Sequence, residues 1–133
     1  MESHVPVPES VVRFIASHIR SLEQLEVLLL LSAQPHRDWT AADVYNVVRS
    51  SEASIFERLD ELRMSGLLSS VESGGSVAKT YRFAPSSPEL AAVTDLLAHE
   101  HKERRVKIVE LIYSPQAEPL KGFADAFKFK KDK

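Results

Sequence analysis

The 133 residues contain no cysteine, which excludes a disulfide framework and a thiolate-held metal. They contain no long hydrophobic run either. The longest stretch, Val27 to Leu31, is far below the roughly 20 apolar residues that a membrane-spanning helix needs. Met1 to Pro8 lacks the basic start and apolar core of a secretory signal, so the expected location is the cytoplasm, with no membrane partner. Excess positive charge is missing too. The net charge is −2, and the overall balance does not announce a polyanion partner.

Enzyme signatures are equally scarce. No serine sits in a Gly-x-Ser-x-Gly elbow. Ser73-Gly74-Gly75-Ser76 lacks the lysine and the strand-to-helix setting of a phosphate loop, and a hairpin turn accounts for it. In His99-Glu100-His101 the two imidazoles point to different sides of a helix, and His99 with Glu103 supplies only two ligands. No catalytic residue, metal or cofactor is expected, and no effector pocket can be read from the chain.

What the chain does have is ordinary globular composition, 44% apolar and 27% charged, enough for one core. After the prolines at 6 and 8, Val12, Ile15, Ile19 and Leu22 recur at helical spacing. Ser21 with Gln24 resembles a capping box. Leu22 to Ala33 is apolar nearly all round, which predicts a central buried helix, ended by Pro35. Thr40 with Asp43 caps a short helix whose inner face is Val44, Val47 and Val48, ending near Arg49. Ser50 and Ser51 form the next turn and cap. Ile55, Leu59 and Leu62 stripe a helix over Glu52 to Met64, and Gly66 stands at its stop. Leu67 to Val71 and Val77 to Phe83 then read as a hairpin around Gly74-Gly75. Ser86 with Glu89 caps one long helix from Glu89 to Tyr113, lined by Leu90, Val93, Leu97, Ile108, Leu111 and Ile112. The remaining tail carries Phe123, Phe127 and Phe129 among five lysines. The expected fold is mainly α with a small β-hairpin. The expected division is a tail and helix over 1–20, a central unit over 21–84, and a long helix with a basic tail over 85–133.

Helix, helix, turn, helix and hairpin, in that order, resemble a winged helix-turn-helix. The resemblance covers roughly Ser21 to Phe83. It is carried by Thr40-Ala41-Ala42-Asp43-Val44 and by Ser54-Ile55-Phe56-Glu57-Arg58-Leu59-Asp60-Glu61-Leu62-Arg63-Met64-Ser65-Gly66-Leu67-Leu68, a pattern similar to MarR-like and ArsR-like bacterial transcriptional regulators. It implies a homodimer whose third helix enters the DNA major groove while the hairpin reaches neighbouring phosphates. The DNA contacts it implies are Ser51, Ser54, Glu57, Arg58 and Arg63 on that helix and Lys79 and Arg82 on the wing. The dimer is expected through the first helix, the last, or both, since their apolar stripes exceed what a minimal winged unit covers.

The third helix departs from the pattern in its charge. Opposite Ile55, Leu59 and Leu62 lie Ala53, Glu57, Asp60, Glu61 and Met64, three carboxylates and no base. From His36 to Phe83 six Arg and Lys meet seven acids. Carboxylates can accept from cytosine, but near phosphates they repel. Two functions therefore stand side by side: a DNA-binding regulator, and a winged-helix module whose acidic face meets a protein partner.

Overall fold

The computed structural model describes residues 6–72 and 79–113. Six helices and two strands follow in order: α1 Glu9–His18, α2 Leu22–Ala33, α3 Ala41–Tyr45, α4 Glu52–Met64, β1 Leu68–Val71, β2 Thr80–Phe83, α5 Pro88–Glu103 and α6 Arg105–Tyr113. α2 lies at the centre, against α4, β2 and α5. α3 packs on α4, and α1 packs on α5 and α6.

The sequence rules act locally as expected at α2, α3 and α4. Ser21 accepts from the Gln24 amide at 3.0 Å, and Gln24 Oε1 accepts from the Arg20 amide at 2.7 Å. Thr40 and Asp43 form a reciprocal capping box, and Ser51 caps α4 by accepting from Ser54 N–H. Each such cap stabilises its helix by about 1 kcal/mol. Ile55, Leu59 and Leu62 are fully buried on the side that α4 turns to α2 and α3. The chain leaves α4 through Gly66 at φ +83°, where the Leu67 amide closes back on Leu62 O. A Cβ at Gly66 would come within 2.7 Å of Ser86 Oγ, so glycine is required for space as well as for conformation.

The hairpin is antiparallel, pairing Leu68 with Phe83 and Val71 with Thr80. Its expected turn, with Val77 and Ala78, lies outside the described residues. Trp39 adds a third rung: its amide donates to Tyr81 O at 2.8 Å, and the Tyr81 amide returns to Trp39 O at 2.7 Å. The short segment between α2 and α3 is thus the edge of the wing, and Trp39 and Tyr81 are both buried there.

Four expectations are corrected. In α1 the buried residues are Val11, Phe14 and Ile15, with Ile19 just beyond, while Val12 is only half buried. α3 ends at Tyr45, leaving Val47 exposed. The cap of α5 is Ser87, not Ser86: Ser87 accepts from the Leu90 amide, and the Ser86 amide is spent on Gly66 O. The long last helix is broken at Arg104, which leaves helical geometry at φ −138°, ψ 56°. No proline or glycine marks that break. Beside the break the Arg104 guanidinium lies 3.4 Å from the carboxylate of Glu100, which is only 7% exposed, so that buried charge has a partner.

The apolar stripes of the flanking helices are covered within the chain. Val11, Phe14, Ile15, Ile19, Leu97, Ile108 and Leu111 belong to the same core cluster as α2 and α4. The need of those stripes for a partner subunit is therefore met internally, which removes the main ground on which a dimer was expected. The apolar residues still exposed there are Leu96 on α5, with Val106 and Tyr113 on α6. Among the described residues no helix is long and apolar enough to cross a membrane.

Candidate nucleic-acid interface

α4 is the second helix of the helix-turn-helix, and its outward face is the surface in question. The phase read from Ile55, Leu59 and Leu62 holds: Glu57 is exposed, as are Phe56 at 48% and Met64 at 73%. That face combines carboxylates with two uncovered apolar side chains.

The expected cations are present but engaged. Arg58 is 19% exposed and reaches three carboxylates: Glu61 at 3.0 Å, Glu57 at 3.2 Å and Glu23 of α2 at 3.5 Å. Arg63 holds Asp60 one turn back on its own helix, at 2.8 Å. Arg82 forms a two-pronged pair with Asp38, at 2.9 and 3.2 Å. Such forked guanidinium–carboxylate pairs are the better ordered kind. Ser54 Oγ donates to Glu23 at 2.7 Å, Ser50 Oγ donates to the same carboxylate, and Ser51 is spent on the cap. Lys79 lies over the Tyr81 ring at 5.5 Å, with no carboxylate partner among the described residues. Of the seven residues the resemblance pointed to, Lys79 alone has no side-chain hydrogen bond among the described residues, while Glu57 is exposed and accepts from its neighbour Arg58.

The residue that organises this surface was not anticipated. Glu23, in the first turn of α2, gathers Ser50, Ser54 and Arg58 and so ties the turn and the start of α4 to the central helix. Glu23 lies 27 residues from Ser50 and 31 from Ser54, beyond any local spacing rule. Two exposed arginines outside the expected set, one before α4 and one by the wing, also have no carboxylate partner among the described residues. The Arg37 guanidinium lies 3.6 Å from the Trp39 ring, and that of Arg49 lies 4.9 Å from the Tyr45 ring. Cation–π contact orders the side chain without cancelling its charge. Arg49 sits in the turn between α3 and α4, and Arg37 stands at the edge of the wing.

Between α2, the turn after α3 and the end of α5 runs an open groove of about 630 Å³, which the sequence did not announce. Leu29 and Leu30 of α2 and Val47 and Val48 of the turn supply its apolar wall, and Arg49 and His101 line it with polar groups. Burial, and after it the Arg105 charge, lower the His101 pKa, while Glu26 pulls it the other way. Among the described residues no three His, Asp or Glu side chains are placed to hold a metal ion.

No protein-family model matches the chain, and no curated protein matches it. Solved structures do. The adhesin competence repressor AdcR from Streptococcus pyogenes superposes with a TM-score of 0.53 at 18% identity, over 86% of this chain and 82% of that one. The heme-free form of PefR gives 0.53 at 12% identity, over 73% and 87%. An apo mutant of ZitR from Lactococcus lactis gives 0.50 at 17% identity, over 83% and 80%. Helices, hairpin and order of elements together are a winged helix-turn-helix with helices added before and after it, the fold this chain shares with AdcR, PefR and ZitR.

Proposed function

We propose that the chain is a winged-helix DNA-binding transcriptional regulator that acts as a homodimer. The observation that carries this reading is the presentation of α4. It is capped by Ser51, pinned along Ile55, Leu59 and Leu62, and turned outward beside the hairpin. Three cations have no carboxylate partner among the described residues: Arg49 in the turn before α4, and Arg37 and Lys79 at the wing. The fold shared with a protein named as a repressor supports the same reading. In it, residues 21–84 form the winged unit, flanked by 1–20 and 85–133.

Phosphates are then contacted from the periphery of α4, since Arg58, Arg63 and Arg82 are held by carboxylates. Arg49→Ala is expected to weaken binding to every duplex alike and to lower the salt slope by about 1. Unchanged affinity, or a loss confined to one sequence, would remove Arg49 from the backbone contacts. The homodimer is supported by the exposed Leu96 and Val106, and light scattering is expected to give twice the chain mass. A single-chain mass at high micromolar concentration would sink that part.

A second reading, a module that binds protein and ignores DNA, is favoured by one observation: the carboxylates of α4 flank Phe56 and Met64, both exposed. Apolar anchors rimmed by one sign of charge are what a protein partner of the other sign meets.

A further inference from the structure

The uncovered face of α4 has a complement within the same polypeptide. Glu23, Glu52, Glu57, Asp60 and Glu61 put five carboxylates on α4 and the turn of α2 bonded to it, against the two guanidinium groups of Arg58 and Arg63, an excess of three negative charges. Residues 120–133, outside the described residues, hold five lysines and two aspartates, an excess of three positive charges. Each side also carries large apolar groups: Phe56 and Met64 on α4, and Phe123, Phe127 and Phe129 in the segment.

The place where the described chain stops favours the match. Tyr113, the last residue of α6, accepts a hydrogen bond at its hydroxyl from the Leu22 amide, 2.7 Å away. The next residue, Glu23, is bonded to Ser54 and Arg58 of α4. The segment therefore departs beside the carboxylate that anchors α4. Fourteen residues from Tyr113 to Phe127 can span up to about 50 Å, whereas α4 is about 20 Å long. A tether of this length holds its end at a millimolar effective concentration, enough for a weak contact to be populated.

We infer that residues 120–133 dock on the outward face of α4 of their own chain, seating phenylalanines against Phe56 and Met64 and lysines against Glu57, Asp60 and Glu61. The contact does not depend on the proposed function. Its consequence does: if the chain binds DNA, the docked segment covers the groove-reading helix and competes with the duplex.

The absence of cysteine allows a clean test. Ala124→Cys in the full chain takes a single spin label, and the amide signals of Phe56, Glu57, Asp60 and Met64 are followed by nuclear magnetic resonance. The expected result is loss of more than half their intensity at about 50 mM salt and recovery near 500 mM, where screening is short-ranged. Recovery is also expected at low salt when Phe123→Ser and Phe127→Ser are added, or when Lys128→Gln, Lys130→Gln and Lys131→Gln are added. The broadening should persist when labelled chain is diluted into excess unlabelled chain. Its loss on dilution would assign the face to a second copy, and α4 signals no broader than the rest would leave it to another partner; either overturns the inference. If the face is nine-tenths covered, the Phe123→Ser, Phe127→Ser chain binds duplex about tenfold more tightly. Absence of duplex binding by both forms would overturn the proposed function and not the contact, which the broadening decides.

Discussion

Replacing Leu59 by alanine is expected to destabilise the fold by about 2–5 kcal/mol, the cost of truncating a buried leucine. Leu59 is fully buried midway along the inner stripe of α4, between Ile55 and Leu62, where α4 meets both α2 and α3. The methyl groups removed leave a hole between rigid helices that have little room to close it. A domain of this size is stable by only about 5–15 kcal/mol in total, so the change takes a large share. In urea, with a slope of about 2 kcal/mol/M, the midpoint should fall by roughly 1–2.5 M. A loss below about 0.5 kcal/mol, typical of surface positions, would mean that α4 does not seat as described.

Trp39→Ala is expected to cost about 3–5 kcal/mol, more than its place in a short linker suggests. The indole is buried, its backbone exchanges two hydrogen bonds with Tyr81, and Arg37 stacks on its outer side. Alanine keeps the two backbone bonds but removes the ring that lies between the central helix layer and the hairpin. The loss should therefore show first as faster hydrogen exchange at Tyr81 and Phe83, before global unfolding. A stable variant with unchanged exchange in β2 would contradict the role given to Trp39.

The elements that declare themselves in the sequence are those whose start, stripe and stop all agree. α4 has Ser51, then Ile55, Leu59 and Leu62, then Gly66, and it emerges at the expected residues. α2 is legible from its leucines alone. Where two phases fit one period, periodicity cannot choose: Val12 and Val11 both continue to Ile15 and Ile19, and the tie is broken by Phe14, which packs inward with Val11. The break at Arg104 has no local signal, since no proline or glycine stands there. The same holds for Trp39, whose single bridge is too short to leave an alternation.

The candidate site was legible in its geometry and much less so in its electrostatics. The outward position of Glu57 follows from helical phase. The engagement of Arg58 by Glu23 does not, since it depends on how α2 and α4 cross. The pair of Arg63 with Asp60 is one that their i, i+3 spacing allows. Arg82 with Asp38 depends on the Trp39 bridge, which brings the two chain segments side by side.

Under the proposed function α4 faces DNA, its carboxylates oppose binding and the peripheral cations supply it. One titration tests this most directly: affinity of the native chain and of Glu57→Gln for one duplex, at several salt concentrations. Native binding is expected to be weak and to fall as salt rises, with a logarithmic slope of about −3 per chain from Arg37, Arg49 and Lys79. Glu57→Gln is expected to tighten binding to any sequence, because a like-charge repulsion is removed. Tight native binding that Glu57→Gln abolishes would show the carboxylate to be a base reader instead. No binding by either protein at low salt would overturn the DNA-binding function and leave α4 to a protein partner.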